Sequence, residues 1–329
     1  MNFLCISLSF AMASIATAEP AGYDPLKVPD VKIESKTFEI NDKRDRQLPV
    51  RVYLPASDRP APVVIFSHGL GGSRDGNPYL GNHWAARGYV VVFVQHPGSD
   101  DSVWKSAAPG QRMVDLKKAA SLENFMRRGE DIPVLIDALT AFNADKNHAL
   151  HDRLDLKHIG MSGHSFGATT TQAIAGQSLA GGRLSFRDPR VSAAVMMSPS
   201  LPALGDPAKA FESITIPSLL MTGTLDDSPV SSTTPEERQK VFPNLTHAPA
   251  WQVIFDQATH MSFNDRDLQG NSESGKRYHA LILSLTTAFW DAQLKGDAAA
   301  KTWLNGDGPR SILKPEDKWE MNGMAKGQP

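Results

Sequence analysis

The pentapeptide Gly163-His164-Ser165-Phe166-Gly167 sets one serine between two glycines. This G-x-S-x-G spacing permits a sharp strand-to-helix turn that pushes the serine oxygen clear of the backbone. Residues 158–161 before it read as a short strand and 166–180 after it as a helix, so the context fits the turn. A serine hydroxyl is a poor nucleophile at neutral pH. It needs a base within hydrogen-bonding reach, and that base needs an acceptor to fix its tautomer. For this kind of turn the partners follow along the chain as serine, acid, histidine.

Both partners are present in that order. Gly223-Thr224-Leu225-Asp226-Asp227 follows a predicted strand at 216–222, and Ala258-Thr259-His260 follows one at 251–255. Each then lies in a loop at the carboxyl end of a strand, where open α/β sheets assemble their sites. Ser165 is therefore the candidate nucleophile, His260 the candidate base and Asp226 the favoured acid. Asp227, adjacent to it, is the alternative, and Asp206, in the loop after the preceding strand, is a third choice. A tetrahedral oxyanion also needs two donors. The Phe166 N–H, next to the nucleophile, is one. Leu70 N–H is the other, in the Gly-rich run His68-Gly69-Leu70-Gly71-Gly72 that lets backbone approach a substrate closely.

These loops need a sheet to hold them. Continuous apolar runs at 62–66 and 88–94 predict central parallel strands covered on both faces. Residues 32–40 and 48–54 predict an antiparallel hairpin at the sheet edge around Asn41-Asp42-Lys43. A strand is expected at 191–197, and helices at 122–142 and 278–294, the first disturbed in its middle by Gly129 and Pro133. Strands alternating with helices call for an α/β, mostly parallel, doubly wound sheet with helices on both faces. Residues 100–120 are irregular and read as a surface excursion over the sheet. Trp84, His96, Trp104 and Trp251 are candidates for lining a substrate pocket, with burial in the core the commoner use of tryptophan. The chain divides into a segment 1–18, an extended lead-in 19–30, one catalytic domain 31–296 and a C-terminal tail 297–329, in which Trp303, Leu304, Trp319 and Met321 offer docking points.

Composition narrows the partners. The formal charge is -2 and Lys and Arg are scattered, so there is no basic field to hold a phosphate backbone, and nucleic acid is excluded as an expected partner. Asp100-Asp101 has no metal-ligand spacing around it, and neither metal nor cofactor is expected. Residues 1–18 are uncharged and apolar from Phe3 to Ala13, and end in Ala16-Thr17-Ala18, which predicts a cleaved signal peptide and a secreted or periplasmic protein. The apolar stretch falls short of the ~20 residues of a spanning helix, so no stable membrane anchor is expected. The single cysteine, Cys5, lies in that segment, and a processed chain would have no thiol for catalysis or disulfides.

Three segments carry a resemblance: Val64-Ile65-Phe66-Ser67-His68-Gly69-Leu70-Gly71, the strand from Gly88-Tyr89 to Gln95-His96, and Gly163 to Gly167. Across roughly residues 62–263 they resemble the platelet-activating-factor acetylhydrolases and bacterial dienelactone-hydrolase-like proteins. The resemblance implies an α/β-hydrolase fold, metal-independent ester hydrolysis, and backbone donors at the positions of Leu70 and Phe166. Dienelactone hydrolases use a cysteine where this chain has Ser165. In the acetylhydrolases the acid follows an earlier strand, which keeps Asp206 in view, whereas Gly223 to Asp226 resembles the late-acid arrangement of bacterial cutinase-like polyesterases. The resulting expectation is a serine esterase for small or medium acyl esters, with lipid or polymer esters as further substrates and an amidase or peptidase as the alternative on the same triad.

Overall fold

The structure is a computed structural model that describes residues 22–43, 45–108, 110–265 and 273–327. The expected signal segment, with Cys5, lies outside the described residues. The apolar runs become strands buried on both faces, β3 (Ala61–Ser67) and β4 (Val90–Val94), and the strand before Ser165 is β5 (Leu154–His164), buried from Ile159 onward. Between β3 and β4 runs α1 (Pro78–Ala86). Between β4 and β5 run α2 (Ser102–Lys105), α3 (Arg112–Ala119) and α4 (Leu122–Ala144). The hairpin β1 (Glu34–Asp42) and β2 (Arg46–Leu54) forms one edge, as its alternation requires.

After β5 comes α5 (Phe166–Ala175), then a separate two-stranded hairpin, β6 (Ser178–Leu179) with β7 (Leu184–Ser185). The chain continues through β8 (Val191–Met197), α6 (Pro207–Phe211), β9 (Ser218–Leu225), α7 (Pro235–Gln239), β10 (Ala250–Thr259), α8 (Glu273–Leu294), α9 (Ala298–Asn305), α10 (Gly308–Ile312), β11 (Lys318–Met321) and α11 (Gly323–Lys326). The main sheet has the order β1-β2-β4-β3-β5-β8-β9-β10-β11. Pairing is parallel from β4 through β3, β5, β8 and β9 to β10, and antiparallel at both ends. This is the α/β-hydrolase fold.

Alternate residues of each strand feed opposite cores. Val64, Phe66, Val91 and Phe93 face α1 and α8 through Trp84, Phe289 and Trp290. Val63, Ile65, Val90 and Val92 face α4 through Ile132, Leu135, Ile136 and Leu139. Trp84 and Trp251, offered above as pocket residues, are fully buried in the first of these cores. Trp84 Nε1 donates to Thr286 Oγ1 at 3.2 Å, which satisfies its one polar atom.

Two expectations about helices need correction. Gly129 and Pro133 do not break α4, which is one helix from Leu122 to Ala144 with Ser121 capping its N-terminus. Pro133 leaves the Gly129 carbonyl, four residues earlier, without its helical donor, and Gly129 itself lies against the Phe186 ring. Burial of one complete face of α4 outweighs the lost hydrogen bond. The helix after Ser165 ends at Ala175 and not near residue 180, because Gly176 takes φ 130° and its N–H closes onto the Gln172 and Ala173 carbonyls. The C-terminal segment supplies a ninth strand: β11 pairs antiparallel with β10, Trp251 opposite Met321 and Val253 opposite Trp319.

Candidate active site

Ser165 sits at φ 56°, ψ -117°, between β5 and α5. A non-glycine residue there stores strain, offset by the structure that clamps it. Its N–H donates to the Met197 carbonyl at 2.9 Å. The flanking glycines are dictated by packing: a Cβ on Gly167 would strike the Ser67 carbonyl, and one on Gly163 would strike the Gly167 carbonyl. The turn can therefore press against the end of β3, which brings the Gly-rich loop beside the serine. A Cβ on Gly69 would lie 3.5 Å from Ser165 Cβ.

Three chain segments meet at the serine hydroxyl. Asp226, directly after β9, is fully buried and accepts from His260 Nδ1–H at 2.7 Å. That proton leaves His260 Nε2 as the acceptor for the Ser165 hydroxyl, 2.8 Å away. Gly223 makes the meeting possible, since a Cβ there would strike the Ala258 carbonyl and wedge apart the ends of β9 and β10. Asp226 also accepts from Thr222 Oγ1 at 2.8 Å and pairs with Arg238 Nε at 3.1 Å, so the buried carboxylate is fully partnered. Asp227, one residue on, is exposed. Asp206 caps the N-terminus of α6 through the Ala208 N–H. Of the three carboxylates considered, only Asp226 reaches His260.

Arg238 was not anticipated. It is 2% exposed and braces the acid loop against the loop after β8: its Nε donates to the Asp226 carbonyl at 2.7 Å, and its Nη1 to the Ser198 and Pro199 carbonyls at 2.8 and 3.0 Å. Nothing in its short helix, Pro-Glu-Glu-Arg-Gln, distinguishes it from a solvated residue. His164, beside the serine, packs its ring 4.7 Å from that of His260. Burial, together with the His260 and Arg238 charges, pushes the His164 imidazole well below its ordinary range. It stays neutral and adds no charge against an imidazolium at His260.

Leu70 lines the cavity beside Ser165, and Phe166 follows the serine as the first residue of α5. Among the described residues, neither Leu70 N–H nor Phe166 N–H has an internal acceptor, although Gly71 N–H is used by Ser99 and Gly72 N–H by Gly69. An unpaired backbone N–H next to a strained serine is available to a ligand. A cavity of about 310 Å³ opens over Ser165 and His260; Leu70, Met113, Leu116, Pro229, Val230 and Met261 supply its apolar wall. Met113 and Leu116 come from α3, so the excursion at 100–120 forms one wall of this cavity. Trp104 anchors it, donating to the Gly71 carbonyl at 2.8 Å. A wider depression of about 870 Å³ at the β1–β2 turn contains none of the candidate residues.

A second Ser–His–Asp array lies behind the first. Ser67 Oγ is 3.0 Å from His96 Nε2, and His96 Nδ1 is 2.8 Å from Asp131 Oδ2, which Arg46 grips from its other side. Its distances match those of the first array, yet Ser67, His96 and Asp131 are all fully buried, whereas Ser165 is half-buried at the cavity floor. His96, considered above as a pocket residue, belongs to this interior array. Burial and the nearby Arg128 charge lower its pKa to about 4, against the pull of Asp131. Asp131, although burial opposes its charge, is held at about 2 by hydrogen bonds from His96 and Arg46.

Among the described residues no cluster of three or more His, Cys, Asp or Glu side chains is arranged to hold a metal ion. Asp100 instead accepts from Gln95 and Ser102, and Asp101 pairs with Lys105. No described helix is long and apolar enough to cross a membrane. Residues 62–212 match a protein-family model described as "alpha/beta hydrolase fold", a stretch that includes the Gly-rich loop, the strained serine and Asp206. The match supports a hydrolase. No curated protein matches the chain.

Proposed function

We propose that the chain is a serine hydrolase of carboxylic esters with small to medium acyl groups, working through an acyl-enzyme. The observation that carries this reading is the relay Asp226–His260–Ser165, with spacings of 2.7 and 2.8 Å, ending on a strained serine that opens into a cavity. His260 Nε2 takes the Ser165 proton as Oγ attacks the ester carbonyl. Carbonyl electrons move onto oxygen, and the Leu70 and Phe166 N–H groups hold that oxyanion. Collapse expels the alcohol, which takes the proton from His260, and water then repeats the sequence to release the acid. Asp226 fixes the reacting tautomer and stabilises the imidazolium.

The apolar wall favours an acyl chain over a charged group, and a volume near the lower end of the range for ligand sites favours a short one. The resemblance to acetylhydrolases and cutinase-like polyesterases points to the same bond. The apolar segment at 1–18 adds that the ester is met outside the cytoplasm. p-Nitrophenyl esters from acetyl to palmitoyl test the substrate class. The expected profile peaks between acetyl and octanoyl and falls at palmitoyl. Inactivity on every ester, with turnover of the matching anilides, would replace the esterase by an amidase.

A further inference from the structure

The peptide that carries the Leu70 N–H is gripped from behind by buried side chains that have no part in the chemistry above. Arg128, on α4, is fully buried. Its Nη1 donates to the His68 carbonyl at 2.7 Å and its Nε to Ser99 Oγ at 2.8 Å. Its Nη2 donates to the Ser99 carbonyl at 3.3 Å, which also accepts the Gly71 N–H at 2.9 Å. The guanidinium carbon stands 4.4 Å from the centroid of the Phe166 ring. One cation therefore touches both segments that carry the two unpaired N–H groups.

His68 completes the grip. Its Nε2 accepts the His96 backbone N–H at 3.1 Å, so its proton is on Nδ1, which donates to the Gly69 carbonyl at 2.6 Å. Gly72 N–H donates to the same carbonyl at 3.0 Å. The Gly69 C=O and the Leu70 N–H belong to one planar trans peptide and point in opposite directions. Two donors fixed on the oxygen thus aim the N–H and polarise it as a donor. Behind His68, the Ser67–His96–Asp131–Arg46 array immobilises the residue whose N–H orients the His68 ring.

We infer that Arg128 and His68 are positioning residues for the oxyanion site, holding the Gly69–Leu70 peptide and the Phe166 segment so that both N–H groups meet the charge that develops on the substrate. This rests on the ester-hydrolase reading above. Groups that aim donors at a charge present only in the transition state change kcat and leave KM nearly alone.

Steady-state kinetics on p-nitrophenyl acetate, paired with inhibition by an aryl trifluoromethyl ketone, tests the inference. The ketone reports the site directly: a bond forms from Ser165 Oγ to the carbonyl carbon, the C=O electron pair moves onto oxygen as an anion, and the serine proton goes to His260. Loss of one oxyanion donor costs on the order of 10² to 10³ in kcat, and misaiming one should cost about tenfold to a hundredfold. Arg128→Met and His68→Leu are expected to lose that much in kcat, keep KM within about twofold, and bind the ketone more weakly by the same factor. His68→Asn keeps a donor near the place of Nδ1 and is expected to recover most of the loss. A rise in KM at unchanged kcat, unchanged ketone affinity, or equal losses for Asn and Leu would overturn the inference. If Arg128→Met fails to fold, the two His68 variants decide it alone. A wild-type protein that neither hydrolyses the ester nor binds the ketone would overturn the esterase reading and this inference together.

Discussion

At the scale of residues, Asp226 and Asp227 are chemically identical neighbours with opposite fates. Asp226 is buried with three partners, and Asp227 faces solvent. Asp226→Asn should keep the geometry but favour the wrong His260 tautomer, lowering turnover by about 10⁴, while Asp227→Asn should stay within about threefold of wild type. Comparable losses in the two variants, measured on one ester, would show that His260 is oriented by something other than Asp226. The sequence motif pointed to Ser165, and the strand-end loops to His260 and a pair of carboxylates, of which the structure brings Asp226 to His260 and His260 to Ser165. What separates Asp226 from Asp227 is which side chain turns inward at the end of β9, a matter of backbone direction that no residue type encodes. Arg128 left one trace: it falls on the same helical face as Ile132, Leu135 and Leu139, and a charge on an apolar stripe marks a buried ion. Arg238 left none.

At the scale of elements, the long apolar strands and the edge hairpin were readable because burial on both faces, or alternation, imposes a composition on them. Helix α4 was misread in its middle, since local propensity counts Gly129 and Pro133 against a helix while packing of a whole face decides the outcome. Strand β11 escaped notice for the converse reason: Lys318-Trp319-Glu320-Met321 is too short to show a period, and it is a strand only because β10 offers it an open edge. Trp319, 5% exposed, is the residue that seals this edge onto the core shared with Trp251 and Phe289. Trp319→Ala should lower the unfolding free energy by about 3 kcal/mol in urea melts. A loss under about 1 kcal/mol would mean that β11 is a peripheral attachment.

At the scale of the whole molecule, pH acts through the buried histidines. His96 has a folded pKa of about 4, set by burial and Arg128, against roughly 6.5 in an unfolded chain. Between those values the unfolded chain binds a proton that the folded one refuses. Stability is therefore complete above roughly pH 6.5 and falls as pH drops toward 4, with His164 acting in the same direction. Asp131, held at about 2, adds stability that is lost only below the unfolded carboxylate value near 3.9. His96 alone should make urea unfolding free energies at pH 7.5 and pH 5 differ by about 2 kcal/mol, with the acid value lower and His164 widening the gap, and equal values would contradict the neutral, buried His96.

Two Ser–His–Asp arrays of nearly equal spacing thus occur among the described residues, and only Ser165 combines access to the cavity with a strained backbone and neighbouring unpaired N–H groups. Intact-mass analysis after exposure to a fluorophosphonate, followed by peptide mapping, tests this most directly. One adduct per chain on Ser165, abolished in Ser165→Ala, is the predicted result. An unlabelled protein, or a label on Ser67, would contradict the assignment of Ser165 as the nucleophile.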